Sequence, residues 1–283
     1  MTAGGGPLRT GVNGTRLQWI AANALQSFAL FRRKPRAVVM PAWRARRRLT
    51  RTAAVIVLAV VAAMLLVDAW AVKVATGLPE PVANFFNWIT DFGKSVRLLV
   101  PIALMLAAVA IIDNPTLART SRGVLAAVAV RLGFLFAAIA LPGLVFTILK
   151  RLIGRARPLV EGTADPFIYH PFRWSVEYAS FPSGHATDAF AIATAVGALW
   201  PRLRPVMWTY AVLIALSRIV LTAHFPSDVI AGAAVGTAGA LIVRDWFAAR
   251  GLAFSFAPDG AVRPFPGPSW GRLKRVARQL IGP

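Results

Sequence analysis

The sequence predicts an all-α fold, a polytopic membrane protein built as a six-transmembrane-helix bundle, and three observations predict it. The first is composition. Hydrophobic residues fill 57% of 283 positions and charged residues only 15%, against roughly 25% charged in a soluble globular domain, and the mean hydropathy is +0.61. The second is a series of apolar runs near the ~20 residues that a bilayer span requires, at about 52–74, 96–112, 130–149, 185–200, 206–222 and 229–246. The third is the location of the +21 formal charge: residues 1–51 hold eleven Lys or Arg and no acid, the kind of excess that keeps a flank in the cytoplasm.

In chain order, 1–51 reads as a basic cytoplasmic region, 52–246 as the six-span domain and 247–283 as a basic cytoplasmic tail. The first span follows more than 50 residues and lacks a short apolar core with a small-residue cleavage site, so it is expected to remain as a span rather than be removed as a signal peptide. The loop at 75–95 then faces outward. Within it, "NWITDFGKS" and the helical spacing of Phe85, Trp88, Ile89 and Phe92 predict an interfacial helix. The second and fourth spans are short and lean on their flanks. Arg119 and Arg122 place 113–122 inside, and Arg202 and Arg204 do the same for 201–205. The tail carries Arg272, Lys274, Arg275 and Arg278 in "WGRLKRVARQL", an amphipathic piece suited to an anionic cytoplasmic leaflet. No internal repeat is visible.

Composition also removes several chemistries. There is no cysteine, which excludes disulfides, thiolate nucleophiles and zinc-thiolate sites. Three histidines and eleven acids argue against a two-metal carboxylate cluster, and no metal or other cofactor is expected. A high pI can signal nucleic-acid binding. Here the excess charge flanks membrane spans and lacks the aromatic-basic interleaving that stacks bases, so no nucleic-acid partner is expected.

One outer loop breaks the charge rule. Its start, "KRLIGRARP", is strongly basic: Lys150, six residues, then Arg157-Pro158. Cations at a helix end often only snorkel or answer the C-terminal dipole, but on the translocated face they also suggest a bound anion. Second, "ASFPSGHATDAF" puts Pro182, Ser183, Gly184 and His185 on the first turn of the fourth span. Free N–H groups at a helix N-terminus suit an anion, Gly184 permits close approach, and the Ser183 hydroxyl adds a donor. A plain interfacial histidine is the simpler reading of His185 alone. Asp188, one turn on, is left outside the site because a polar residue in a first turn is favourable without function. Third, "SRIVLTAHFPSD" holds Ser217-Arg218, five residues, His224, three residues, Asp228. A charge at the end of a span costs roughly 2.5–3.5 kcal/mol unless paired or facing a polar cavity. With Pro226 opening the sixth helix, Asp228 sits beside His224. A carboxylate there holds one ring nitrogen protonated and leaves the other free as a nucleophile; a turn that merely joins two helices is the bland alternative.

Two intervening spans return the chain to the outer face before each later cluster, so all three converge on one side. The pattern resembles the type 2 phosphatidic acid phosphatase superfamily of membrane-bound lipid phosphatases: Lys, six residues, Arg-Pro; then Pro-Ser-Gly-His; then Ser-Arg, five residues, His, three residues, Asp. Each position is filled, by Lys150, Arg157, Pro158, Pro182, Ser183, Gly184, His185, Ser217, Arg218, His224 and Asp228. The resemblance is close over about 130–246 and extends through the spans to roughly 52–246. It implies hydrolysis of a lipid phosphate through a phosphohistidine on His224, oriented by Asp228, with His185 as acid and then base. Lys150, Arg157, Ser183, Gly184 and Arg218 would bind the phosphate. A related soluble fold, the vanadate-dependent haloperoxidase, shares similar motifs, but the apolar spans argue against it.

The expected partners are the bilayer and a lipid phosphate substrate, with the site on the non-cytoplasmic, periplasmic face of a bacterial inner membrane. Phosphatidate, phosphatidylglycerol phosphate, undecaprenyl diphosphate and a lipid A phosphate all present the same terminal group. The motifs also leave open transfer to a second lipid, and a non-catalytic anion-binding transporter. Against the transporter, the polar residues cluster at one surface and no paired broken helices are visible. Oligomeric state is not encoded in these motifs.

Overall fold

The computed structural model describes residues 33–35, 42–113 and 117–281, with 42–48 and 281 described by backbone alone. Most of the basic N-terminal region therefore lies outside the described residues. Helix α1 (Ala42–Leu66) is followed after Val67 by α2 (Asp68–Thr76). Next come α3 (Glu80–Thr90), a 3-10 turn (Asp91–Gly93), α4 (Val96–Ile112), α5 (Arg119–Ile153), α6 (Gly184–Leu199), α7 (Arg204–Val220) and α8 (Pro226–Ala249). A hairpin of β1 (Phe254–Phe256) and β2 (Val262–Pro264) leads to α9 (Trp270–Ile281).

Among the described residues, five stretches are long and apolar enough to cross a membrane: Leu49–Leu66, Glu80–Ile112, Arg119–Ile153, Pro201–Val220 and Pro226–Ala249. Their outer sides are greasy, with Leu58 68%, Leu104 65% and Ile242 69% exposed. Apolar belts on that scale are foreign to soluble monomers; they face lipid. The fourth predicted run forms α6, of 16 residues, about 24 Å long and shorter than a ~30 Å hydrocarbon core.

Two predicted boundaries move. The helix expected at 52 begins at Ala42, and the one expected at 130 begins at Arg119. In both cases arginines interrupt the apolar window without interrupting the helix, because Arg is a good helix former. Arg122 is accommodated by donating from Nε to Asp113 Oδ1 at 3.0 Å. The all-α expectation also misses the hairpin, whose register pairs Phe254 with Pro264 and Phe256 with Val262. It is held by Phe254, fully buried and set edge-on to Phe134 at 4.7 Å.

The core sits around α6, which is buried on nearly every side between α5, α7 and α8. Small residues let α6 and α8 touch backbone to backbone: a Cβ on Gly236 would overlap the Thr187 carbonyl oxygen. Close approach through small residues is how helices gain contact where lipid supplies no hydrophobic drive. The consequence for function is rigidity. The N-termini of α6 and α8 are locked side by side, and Ser183 N donates to Asp228 O at 3.0 Å across the seam.

Candidate active site

Five chain segments meet at one end of the bundle. Lys150 closes α5, Arg157 follows in the loop, Ser183 and His185 open α6, Arg218 ends α7, and His224 and Asp228 straddle the start of α8. The chain turns sharply between α7 and α8, with Ala223 N and His224 N both donating to Arg218 O at 3.1 and 3.2 Å. That turn places His224 beneath Arg218, only 2% exposed.

Asp228 is the hub below the histidine. Its Oδ2 accepts from Ser180 Oγ at 2.6 Å and from Phe225 N at 2.9 Å, and its Oδ1 accepts from Arg155 Nη1 at 2.6 Å. His224 Nδ1 lies 3.6 Å from Asp228 Oδ2, too long for a hydrogen bond, so the predicted direct orientation is modified. Ser180 Oγ sits 3.4 Å from Nδ1. Its proton is already given to Asp228, so toward the ring it presents a lone pair. That arrangement favours a proton on Nδ1 and leaves the Nε2 lone pair free.

Burial pushes the His224 imidazole down to about 4, although the Asp228 carboxylate acts in the other direction. His224 is therefore neutral at physiological pH. The chain has three histidines, so a histidine-labelled NMR titration is tractable. The resonance lost in His224→Ala is expected to titrate near pH 4; a midpoint at the ordinary ~6.5 would contradict this environment.

Above the histidine several polar atoms have no partner. Among the described residues, Arg157 Nε, Ser183 Oγ, His185 Nε2 and Arg218 Nε are buried without a hydrogen-bond partner. Burying an unsatisfied polar group costs about 1–3 kcal/mol, so several together mark a place built for a ligand. The cations also bear on one another. Arg157 acts on Lys150, on Arg218 and on His224, and Lys150 and Arg218 both act on His185. Gly184 allows the approach: a Cβ there would lie 2.9 Å from the Phe146 ring and 3.6 Å from Lys150 Nζ.

Three contributors escaped the sequence reading. Arg155 is fully buried and joins Asp228 to Asp68, its Nη2 donating to Asp68 Oδ2 at 2.8 Å. Asp68 in turn accepts from Ser227 N at 2.9 Å and Ser227 Oγ at 2.5 Å. A lone carboxylate inside the first apolar run was the available signal, since an acid there is exceptional. Second, Ser180 lies just ahead of the Pro-Ser-Gly-His stretch, where nothing marks it out. Third, Thr90 Oγ1 accepts from Arg218 Nη1 at 2.6 Å, bringing the end of α3 over the site. The 3-10 turn follows it: a Cβ on Gly93 would lie 3.0 Å from His185 Cδ2. Asp188, left outside, accepts from Ser95 N at 3.3 Å.

These features define a membrane-embedded protein with a cluster of buried cationic and hydroxyl groups set over a neutral, carboxylate-supported histidine. The model of the PAP2 superfamily matches residues 131–252. The lipid A 1-phosphatase of Rhizobium johnstonii is 36% identical over 223 residues, covering 78% of this chain and 86% of that protein. The lipid A 1-phosphatase of Rhizobium etli is 36% identical over 214 residues, 74% and 90% of the two chains. Among solved structures, Aquifex aeolicus LpxE matches with 22% identity and a TM-score of 0.45, over 62% of this chain and 93% of that one. The chain belongs to the PAP2 superfamily.

Proposed function

We propose that this protein is a lipid phosphate phosphatase of a bacterial inner membrane, that its substrate is the 1-phosphate of lipid A, and that it works through a phosphohistidine on His224. The observation that carries the reading is the set of buried, partnerless donors of Arg157, Ser183 and Arg218 above a neutral His224. The 1-phosphate specificity is supported by the two rhizobial relatives, whose similarity spans most of both chains.

In the first step His224 Nε2 attacks phosphorus, and the bond from phosphorus to the lipid oxygen breaks. His185, which takes up a proton as the bound phosphate dianion offsets the surrounding cations, gives it to that departing oxygen. Lys150, Arg157, Arg218, Ser183 and the Gly184 amide hold the three equatorial oxygens, where charge spreads in the transition state. In the second step the now neutral His185 takes a proton from water, the hydroxide displaces Nε2, and inorganic phosphate leaves. The site lies at the end of the bundle away from Arg119, Arg202, Arg204 and Arg272, which supports a non-cytoplasmic position with both termini inside. α6 completes six spans as the enclosed central helix, extended by the 3-10 turn Pro201–Leu203.

The test uses purified full-length protein in detergent with chelator, offered lipid A, phosphatidate, phosphatidylglycerol phosphate or undecaprenyl diphosphate one at a time. Phosphate release fastest from the 1-position of lipid A, with no second lipid needed, is the expected result. Release that requires a second lipid would make the protein a phosphotransferase. Binding of lipid phosphates with no release from any of them would leave an anion-binding protein without chemistry.

A further inference from the structure

At the opposite end of the bundle, a pocket of about 530 Å³ opens between the start of α5, the turn Pro266–Pro268 and α9. That volume lies within the ~300–1,000 Å³ range of small-molecule sites. From its wall at Thr120, α5 runs on to Lys150, about 45 Å at 1.5 Å per residue. The pocket is therefore separate from the candidate active site.

Its walls are firmly built. On one side α9 docks through Leu273 and buried Val276 against Val124 and Leu125, and Ser121 Oγ donates to Gln279 Oε1 at 2.6 Å. On the other, Arg131 donates to Phe265 O at 2.9 Å and Pro266 O at 2.8 Å, which pins the turn over α5. Arg272 and Arg275 line the space, and no acid does. On another side of the same helix Trp270 is 70% exposed, with Lys274 Nζ 5.6 Å from its ring centroid, and Leu280 is 43% exposed.

A cation-lined hollow at the end of an apolar bundle, walled by a helix that also exposes a tryptophan and a leucine, suits an amphiphile that keeps its tails in the bilayer and puts an anionic head between the arginines. A free inorganic anion would have no use for the exposed apolar side chains of α9. We infer that this pocket binds the headgroup of an anionic phospholipid from the leaflet opposite the candidate active site.

The probes are phosphatidylglycerol and phosphatidylcholine of identical chains, added to the purified full-length protein and read by native mass spectrometry. Phosphatidylglycerol is a phosphodiester without the terminal phosphate that the active site is proposed to take, and inorganic phosphate is included to occupy that site. Phosphatidylglycerol is expected to remain bound where phosphatidylcholine does not. Two variants separate charge from space. Arg272→Gln with Arg275→Gln is expected to weaken retention roughly 25-fold, from about 1 kcal/mol per basic residue. Gly123→Leu keeps every arginine but fills the pocket, since a Cβ at Gly123 meets nothing within 4 Å, and it is expected to lose retention as well. Both variants should hydrolyse a soluble aryl phosphate like the parent, which shows that they are folded. Equal retention of the two lipids, displacement by inorganic phosphate, or unchanged retention in either folded variant would overturn the inference.

Discussion

Replacing His224 by alanine is expected to lower turnover about 10⁴-fold or more, because it removes the neutral imidazole whose Nε2 lone pair is proposed to attack phosphorus. The decisive readout is covalent. With a radiolabelled aryl phosphate, whose leaving group needs little help, the parent protein should carry an alkali-stable, acid-labile label during turnover. His224→Ala should never take up label. His185→Ala should still be labelled, since the good leaving group departs unprotonated, but should stall there because water is no longer activated. Opposite behaviour of the two histidine variants is what a two-step reaction requires. If His224→Ala still accumulated label, the nucleophile would be another residue.

The second large effect separates two arginines that stand two positions apart. Arg155 is fully buried and bridges Asp68 to Asp228. Arg155→Met would leave two carboxylates facing each other without a cation, and breaking a buried pair costs about 3–5 kcal/mol. A drop of that size in unfolding free energy, measured by denaturant titration in detergent, is expected. Asp68→Asn added to Arg155→Met should recover part of it by removing one of the stranded charges. Arg157 behaves differently. Burial holds its guanidinium below the ordinary value and its Nε has no partner, so Arg157→Met should leave stability unchanged or slightly raised while binding of substrate weakens. Equal destabilisation by the two substitutions would refute this division between strut and cradle.

The residues above His224 were legible in sequence because each chemical demand leaves a local mark. A cluster of cations at the end of a span, a glycine before a histidine at a helix start, and an arginine ending a span all violate what a membrane segment prefers. Five membrane-length helices among the described residues were legible from the apolar runs, although two of them, starting at Ala42 and Arg119, ran past the arginines that seemed to stop them. What stayed hidden was pairing at long range. Arg155 looks like one more basic residue of "KRLIGRARP", and only folding shows that its partners lie in α2 and α8. Ser180 and Thr90 are ordinary hydroxyl residues whose importance arises from the carboxylate and guanidinium they meet. The hairpin after α8 was missed for a similar reason: three-residue strands carry too little alternation to register, and this one exists because Phe254 has an aromatic pocket to enter.

The strut through Asp68 also has a bearing on how the protein comes to be made. Asp68 follows α1, the first of the described hydrophobic helices, whereas Arg155 and Ser227 are synthesised 87 and 159 residues later. Until they arrive, the nascent chain holds an uncompensated carboxylate that favours water over lipid, so the first helix has reason to stay mobile in the translocation machinery. Entry of α8 supplies the last partner and, in the same event, brings His224 under the cradle. A chain arrested before α8 would lack both the last partner of Asp68 and the turn that sets His224 under the cationic cluster.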